Sequence, residues 1–118
     1  MGVNETGGKI EASDFVKVFN RYGVSLTDIA EVVHEDLTVV SGWEAGGTRP
    51  GTKVQTKLIG LRDIIMVLSD SLSAPGVGQW LHASNRILDD ERPLDALSQG
   101  RDQTVMEAAN AFVDGSYV

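Results

Sequence analysis

Apolar residues recur at steps of three and four along most of the chain and nowhere alternate with period two, which predicts helices and no strands. Phe15, Val18, Phe19 and Tyr22 share one face of a first helix, with Ser13 or Asp14 as its cap and Gly23 as its stop. Ser25 caps a second, in which Leu26, Ile29, Ala30 and Val33 turn inward. Asp28 lies in its first turn, where a carboxylate complements the helix dipole. A break over 34–36 leads to a third helix through Val40 and Trp43, which ends at Gly46 and Gly47. Arg49-Pro50-Gly51 then makes a turn.

The longest helix is predicted over 52–72. Val54, Leu58, Leu61, Ile65, Leu68 and Leu72 form its seam, widened by Ile59, Ile64, Met66 and Val67. So wide an apolar face implies central packing first and a contact between copies second. Pro75 and Gly76 mark a boundary, and a compact second unit follows. Val77, Trp80 and Leu81 begin a short helix, and Asn85 with Asp89-Asp90-Glu91 marks a turn. Pro93 starts another helix, which Gly100 ends. Asp102 is the expected cap of the last helix, whose Val105, Ala108, Ala109, Phe112 and Val113 share a face up to Gly115. The expected division is a flexible arm over 1–12, a helical module over 13–72 and a second over 73–118. The fold class is all-α.

The 118 residues suit one domain or a small domain with an appendage, and 42% hydrophobic with 23% charged residues suits a folded protein. Absence of cysteine removes disulfides, thiolate metal sites and cysteine nucleophiles. No signal-peptide pattern or membrane-length apolar run is present, so a soluble cytoplasmic protein is expected. A net charge of −7 argues against a chain that coats nucleic acid. It fits a partner with a basic surface, or solubility alone, equally well.

Leu26 to Ala30, followed by Val40-Ser41-Gly42-Trp43-Glu44-Ala45-Gly46, resembles the Xre-type helix-turn-helix of phage-repressor-like regulators. The small Ala30 would let the second helix pack close, with Val40 as its buried position. The DNA-binding half of that pattern is weaker. His34 stands where the motif usually has glycine, and Gly42 where a basic residue is common. Five acids (Asp28, Glu31, Glu35, Asp36 and Glu44) and no Lys or Arg lie between Ser25 and Ala45. Carboxylates oppose approach to phosphates, so compensating charge would come from Arg49, Lys53, Lys57 and Arg62. Thr38, Ser41, Thr48, Arg49 and Lys53 are the candidate DNA contacts. A scaffold or dimerisation use of the same two helices explains them slightly better.

The second unit carries an ordered series: Gln79-Trp80-Leu81, Ser84 to Asp89, Arg92 to Leu97, Gly100, and Ala111 to Gly115. It resembles the toxin-binding domain of the Xre/MbcA/ParS family of antitoxins. Each residue has a plainer reading: Trp80 as core, Asn85 as a cap, Arg92 bridged to Asp89 or Asp95, Pro93 as a helix start. Those readings explain the residues singly and leave the series unexplained.

The resemblance implies an antitoxin that binds and inhibits a RES-domain, NAD-degrading toxin, and a complex that represses its own operon. Copies of the chain would associate within that hetero-oligomer. Candidate partner-binding residues are Trp80, Asn85, Arg86, Arg92, Phe112 and the tail residues Ser116, Tyr117 and Val118. The tail, with Asp114 and the terminal carboxylate, is expected to block the toxin's dinucleotide entrance. A stand-alone repressor is the alternative, and an adaptor for some other protein a third.

Catalysis is not expected. His34 and His82 lie in separate modules without a second ligand at metal spacing, and residues 46–51 lack the ending of a phosphate-binding loop. Neither a metal nor a cofactor is expected.

Overall fold

Seven helices account for the computed structural model, which describes residues 11–115. They are α1 Ala12–Arg21, α2 Leu26–Val33, α3 Leu37–Glu44, α4 Thr52–Leu68, α5 Ala74–His82, α6 Pro93–Ser98 and α7 Asp102–Val113. A 3-10 turn over Arg86–Leu88 lies between α5 and α6, and an isolated antiparallel bridge joins Asn85 to Glu91. The described residues contain no strand, so the all-α expectation holds. None of these helices is long and apolar enough to cross a membrane.

Residues 1–10 of the expected arm, and the tail Ser116, Tyr117 and Val118, lie outside the described residues. α1 begins at Ala12, earlier than a cap at Ser13 or Asp14 would allow. Glu11 holds the cap position through its backbone, its carbonyl accepting from Asp14 N at 2.9 Å. Asp14 therefore sits within the first turn.

The start of α2 follows its sequence closely. Ser25 Oγ accepts from Asp28 N at 3.1 Å, and Asp28 Oδ2 accepts from Ser25 N at 2.9 Å. This reciprocal box occupies two N–H groups that the helix cannot bond internally. At the other end His34 takes the left-handed conformation, φ 61° and ψ 46°. A branched or bulky residue rarely goes there, and glycine adopts it without steric cost. His34 is tolerated where its ring reaches the Ser98 carbonyl at the end of α6.

α4 runs through the centre and packs against α7, α1 and α2. Leu58, Leu61, Ile64, Ile65 and Leu68 are fully buried, while Val54 and Leu72 are only half-covered. Each buried leucine removes enough apolar area to contribute about 2 kcal/mol. The helix stops at Leu68 rather than Leu72. Ser69 Oγ donates to Met66 O at 2.8 Å, one of the local side-chain bonds that compete with continued helix. Ile59 and Met66, expected to widen the packed face, are exposed.

α7 corrects another expectation. Asp102 is its first residue rather than its cap, and Arg101 precedes it. The Asp102 carboxylate is engaged instead by Lys57 Nζ of α4 at 3.2 Å, which also donates to Leu97 O at 2.7 Å. The two halves of the chain share one core: Phe19, Ile29, Val40 and Trp43 from the first are continuous with Val77, Leu81, Leu97 and Val105 from the second.

Candidate functional site

The second half is organised around a sharply folded loop. Ser73 caps α5 by accepting from Gly76 N at 3.3 Å, and Pro75 occupies its first turn. α5 then lies directly on the turn between α1 and α2. A Cβ at Gly78 would stand 2.7 Å from the Tyr22 carbonyl oxygen, so glycine sets how closely α5 approaches. Trp80 is half-buried against Phe112 of α7, with ring centroids 6.5 Å apart and planes at 57°. That tilted pairing leaves part of both rings at the surface.

Asn85 is the pivot of the loop. It is only 7% exposed. Its Oδ1 accepts from Ile87 N at 3.0 Å, and its N–H donates to Glu91 O at 3.0 Å. Its carbonyl accepts from both Leu88 N and Asp90 N at 2.9 Å. Two consecutive left-handed residues, Asp89 (φ 58°) and Asp90 (φ 67°), then reverse the chain. Aspartate enters this region more readily than most residues because its short polar side chain can bond locally. Arg101 braces the reversal from the start of α7, with Nη1 3.0 Å from Glu91 Oε1 and Nη2 3.7 Å from Asp89 Oδ2.

So fixed, the 3-10 turn buries Leu88 completely and leaves Arg86 and Ile87 outside, Ile87 at 39% exposure. Arg92, next along, grips Asp95 with two hydrogen bonds of 2.9 and 2.8 Å. Hydrogen bonding to Arg92 holds the Asp95 carboxyl below the ordinary carboxylate range, and the same bond raises the guanidinium. Of the two bridges open to Arg92 on the sequence, the Asp95 one forms. The fields of Asp28 and Glu31 on α2 also favour its charge, which puts Arg92 near the seam between the halves.

The predicted partner-binding residues therefore divide. Arg86 faces solvent, Trp80 and Phe112 are half-open, Arg92 is committed to an internal pair, and Asn85 is buried as the loop's anchor. Ile87 and Arg101 were not singled out from sequence. Ile87 could have been: in a three-residue turn, adjacent apolar residues such as Ile87 and Leu88 cannot both face inward.

The other predicted set occupies α3 and the loop after it. Thr38, Thr48, Arg49 and Lys53 are exposed, and Ser41 is half-buried. Thr38, Thr48 and Arg49 border a surface cleft of about 340 Å³ with Val39, Trp43 and Pro50. Leu37 stands 47% exposed beside Glu35 and Asp36. Two cations that could have offset those acids are engaged elsewhere: Lys57 with Asp102, and Arg62 with Asp63 at 3.1 Å.

Comparison with known proteins gives a consistent picture. No protein-family model matches the chain. A "Probable mycobacterial cidal antitoxin" of Mycobacterium tuberculosis is 45% identical over 109 residues, spanning 92% of this chain and 93% of that protein. The mycobacterial cidal antitoxin MbcA of Mycobacterium bovis is 26% identical over 118 residues, the full length of both. In the crystal structure of the M. tuberculosis MbcT–MbcA toxin–antitoxin complex, one chain superposes with a TM-score of 0.78 at 24% identity. That match covers 93% of this chain and 99% of the other, and it shows the shared fold.

Proposed function

The chain belongs to the mycobacterial cidal antitoxin family, and from that membership we propose that it acts by holding a cognate toxin protein on the surface around residues 85–92. The observation that carries this reading is the match at 45% identity along nearly the whole of an antitoxin. It is a binding function, not a catalytic one. What supports the docking element is an exposed apolar side chain, Ile87, beside the cation of Arg86, on a loop whose residues are each held by a backbone hydrogen bond. Protein interfaces concentrate their affinity in such rigid anchors. The half-open Trp80 and Phe112 extend the apolar area, while Asn85, Arg92 and Arg101 shape the loop from beneath.

The finer reading is that the toxin is a RES-domain protein that degrades NAD, supported by the resemblance of residues 77–118 to a toxin-binding domain. Ser116, Tyr117 and Val118 would block the dinucleotide entrance. Residues 13–72 would serve association between copies and residues 73–118 would serve docking, on one shared core. Operator DNA would be met by the complex, where paired copies present Thr38, Ser41, Thr48, Arg49 and Lys53 twice. Support for needing the complex comes from α3 itself, which has no Lys or Arg.

Co-expression with the protein encoded beside it, followed by affinity capture, tests the central reading. Capture of a stable complex and protection of cellular NAD is the expected result; failure of the folded chain to capture that protein overturns it. Deleting residues 116–118 is expected to weaken protection of NAD more than capture. Equal protection by the shortened chain would dispose of the blocking tail. A gel-shift assay is expected to show sequence-selective binding by the complex and none by the chain alone.

A further inference from the structure

The chain has two histidines, and both lie on the seam between the first four helices and the last three. His34, at the C-terminal end of α2, meets the Ser98 carbonyl oxygen at the end of α6. His82, on the last turn of α5, meets the other end of α2: its Nε2 lies 2.9 Å from Asp28 Oδ2. Its Nδ1 lies 2.7 Å from the Gly78 carbonyl oxygen. α2 is thus tied to the second half at both ends and packs on α6 between them.

The two ties differ in the protons they need. His34 uses one nitrogen against one carbonyl, which a neutral imidazole satisfies as the donor tautomer. Both nitrogens of His82 face atoms that only accept, a carbonyl and a carboxylate. Burial alone would push the Asp28 carboxyl up. The Ser25 backbone N–H and the His82 ring outweigh that and hold it below the ordinary carboxylate range. A neutral ring has one N–H and leaves the other contact as lone pair against lone pair; only the imidazolium donates to both.

The surrounding charged and titratable groups do not supply an alternative donor to Asp28. Arg92 and Asp95 on α6 bond each other, and Glu31 on α2 adds negative potential. Arg21 is exposed at the end of α1, and Tyr22 meets α5 through its backbone carbonyl.

We propose that His82 is a positioning residue for partner docking: bonded through both ring nitrogens, it fixes the last turn of α5, and with it Trp80, against α2. This rests on the docking reading above. With its carboxyl held low, Asp28 stays available as the acceptor until the pH falls below the ordinary carboxylate range.

His82→Gln keeps a donor toward Asp28 but loses the second ring nitrogen at the Gly78 carbonyl, and His82→Ala removes both contacts. Affinity of the full chain for the cognate toxin is measured for wild type and both variants. H82A is expected to bind about fivefold more weakly, as a hydrogen bond to a carboxylate is lost at a partly exposed site, and H82Q to recover most of that loss. Wild-type affinity in H82A, or no recovery in H82Q, overturns the proposal. Loss of toxin binding by all three proteins would instead overturn the docking reading. In that event the free chain decides on the contact itself: the Tm of H82A must fall below that of wild type, with H82Q between them. Equal Tm values for the three remove the proposed contact.

Discussion

Leu37 on α3 and Ile87 on the 3-10 turn are both large apolar side chains left in solvent, at 47% and 39% exposure, yet their settings are opposite. Leu37 opens a short helix whose N-cap, Asp36, makes no side-chain bond, directly after the acids Glu35 and Asp36 and ahead of Glu44. Ile87 sits on a loop held by the Asn85 side chain and backbone and by Arg101, with a cation beside it. An exposed apolar residue is common and by itself says little. A rigid base under it is what turns exposure into a docking element, because less ordering is left to be done on binding.

The comparison breaks most sharply by charge insertion. Ile87→Asp is expected to weaken toxin capture by about 2 kcal/mol or more, roughly thirtyfold. Leu37→Asp should leave it within about twofold. Calorimetric titration of both variants checks this, and equal losses would erase the distinction.

Next in size is the base on which the second region stands. Gly78→Ala places a methyl group within 2.7 Å of the Tyr22 carbonyl and is expected to cost about 2 kcal/mol, read as a lower urea midpoint with unchanged slope. Asn85→Ala removes a cap beneath Ile87 and should cost about 1–2 kcal/mol of stability. It should also cost toxin affinity, which distinguishes it from an equally destabilising change in α3.

The smallest effects concern the first region. His34→Gly removes the strain of a left-handed side chain along with the tie to Ser98, and the two should nearly cancel, within about 1 kcal/mol. The Asp28 box gives a pH signature. Because its folded carboxyl is held low, the stability it adds is present above the ordinary carboxylate value and disappears as the pH falls through the lowered one. Asp28→Asn should flatten that acid limb of a thermal-melt series.

Much of the architecture was legible in local pattern. The Ser25 cap, the central seam of α4, Pro93 as a helix start and the left-handed glycines Gly23, Gly100 and Gly115 all stand where spacing and chemistry put them. Helix ends were less legible. Asp102 has the chemistry of a cap, and nothing local reveals that Lys57, 45 residues earlier, holds its carboxylate.

What the sequence determined by itself was therefore the helix count, the order of the elements and the core of the apolar faces they must bury. Tertiary structure decided which polar groups meet across the chain. It placed His82 on Asp28, His34 on Ser98 and Arg101 on Glu91, and it chose Ile87 over Leu88 to face outward. The physical reason is range. Hydrophobic periodicity is written in consecutive residues, whereas a hydrogen bond between distant side chains exists only after the core has set the distance between the helices that carry them.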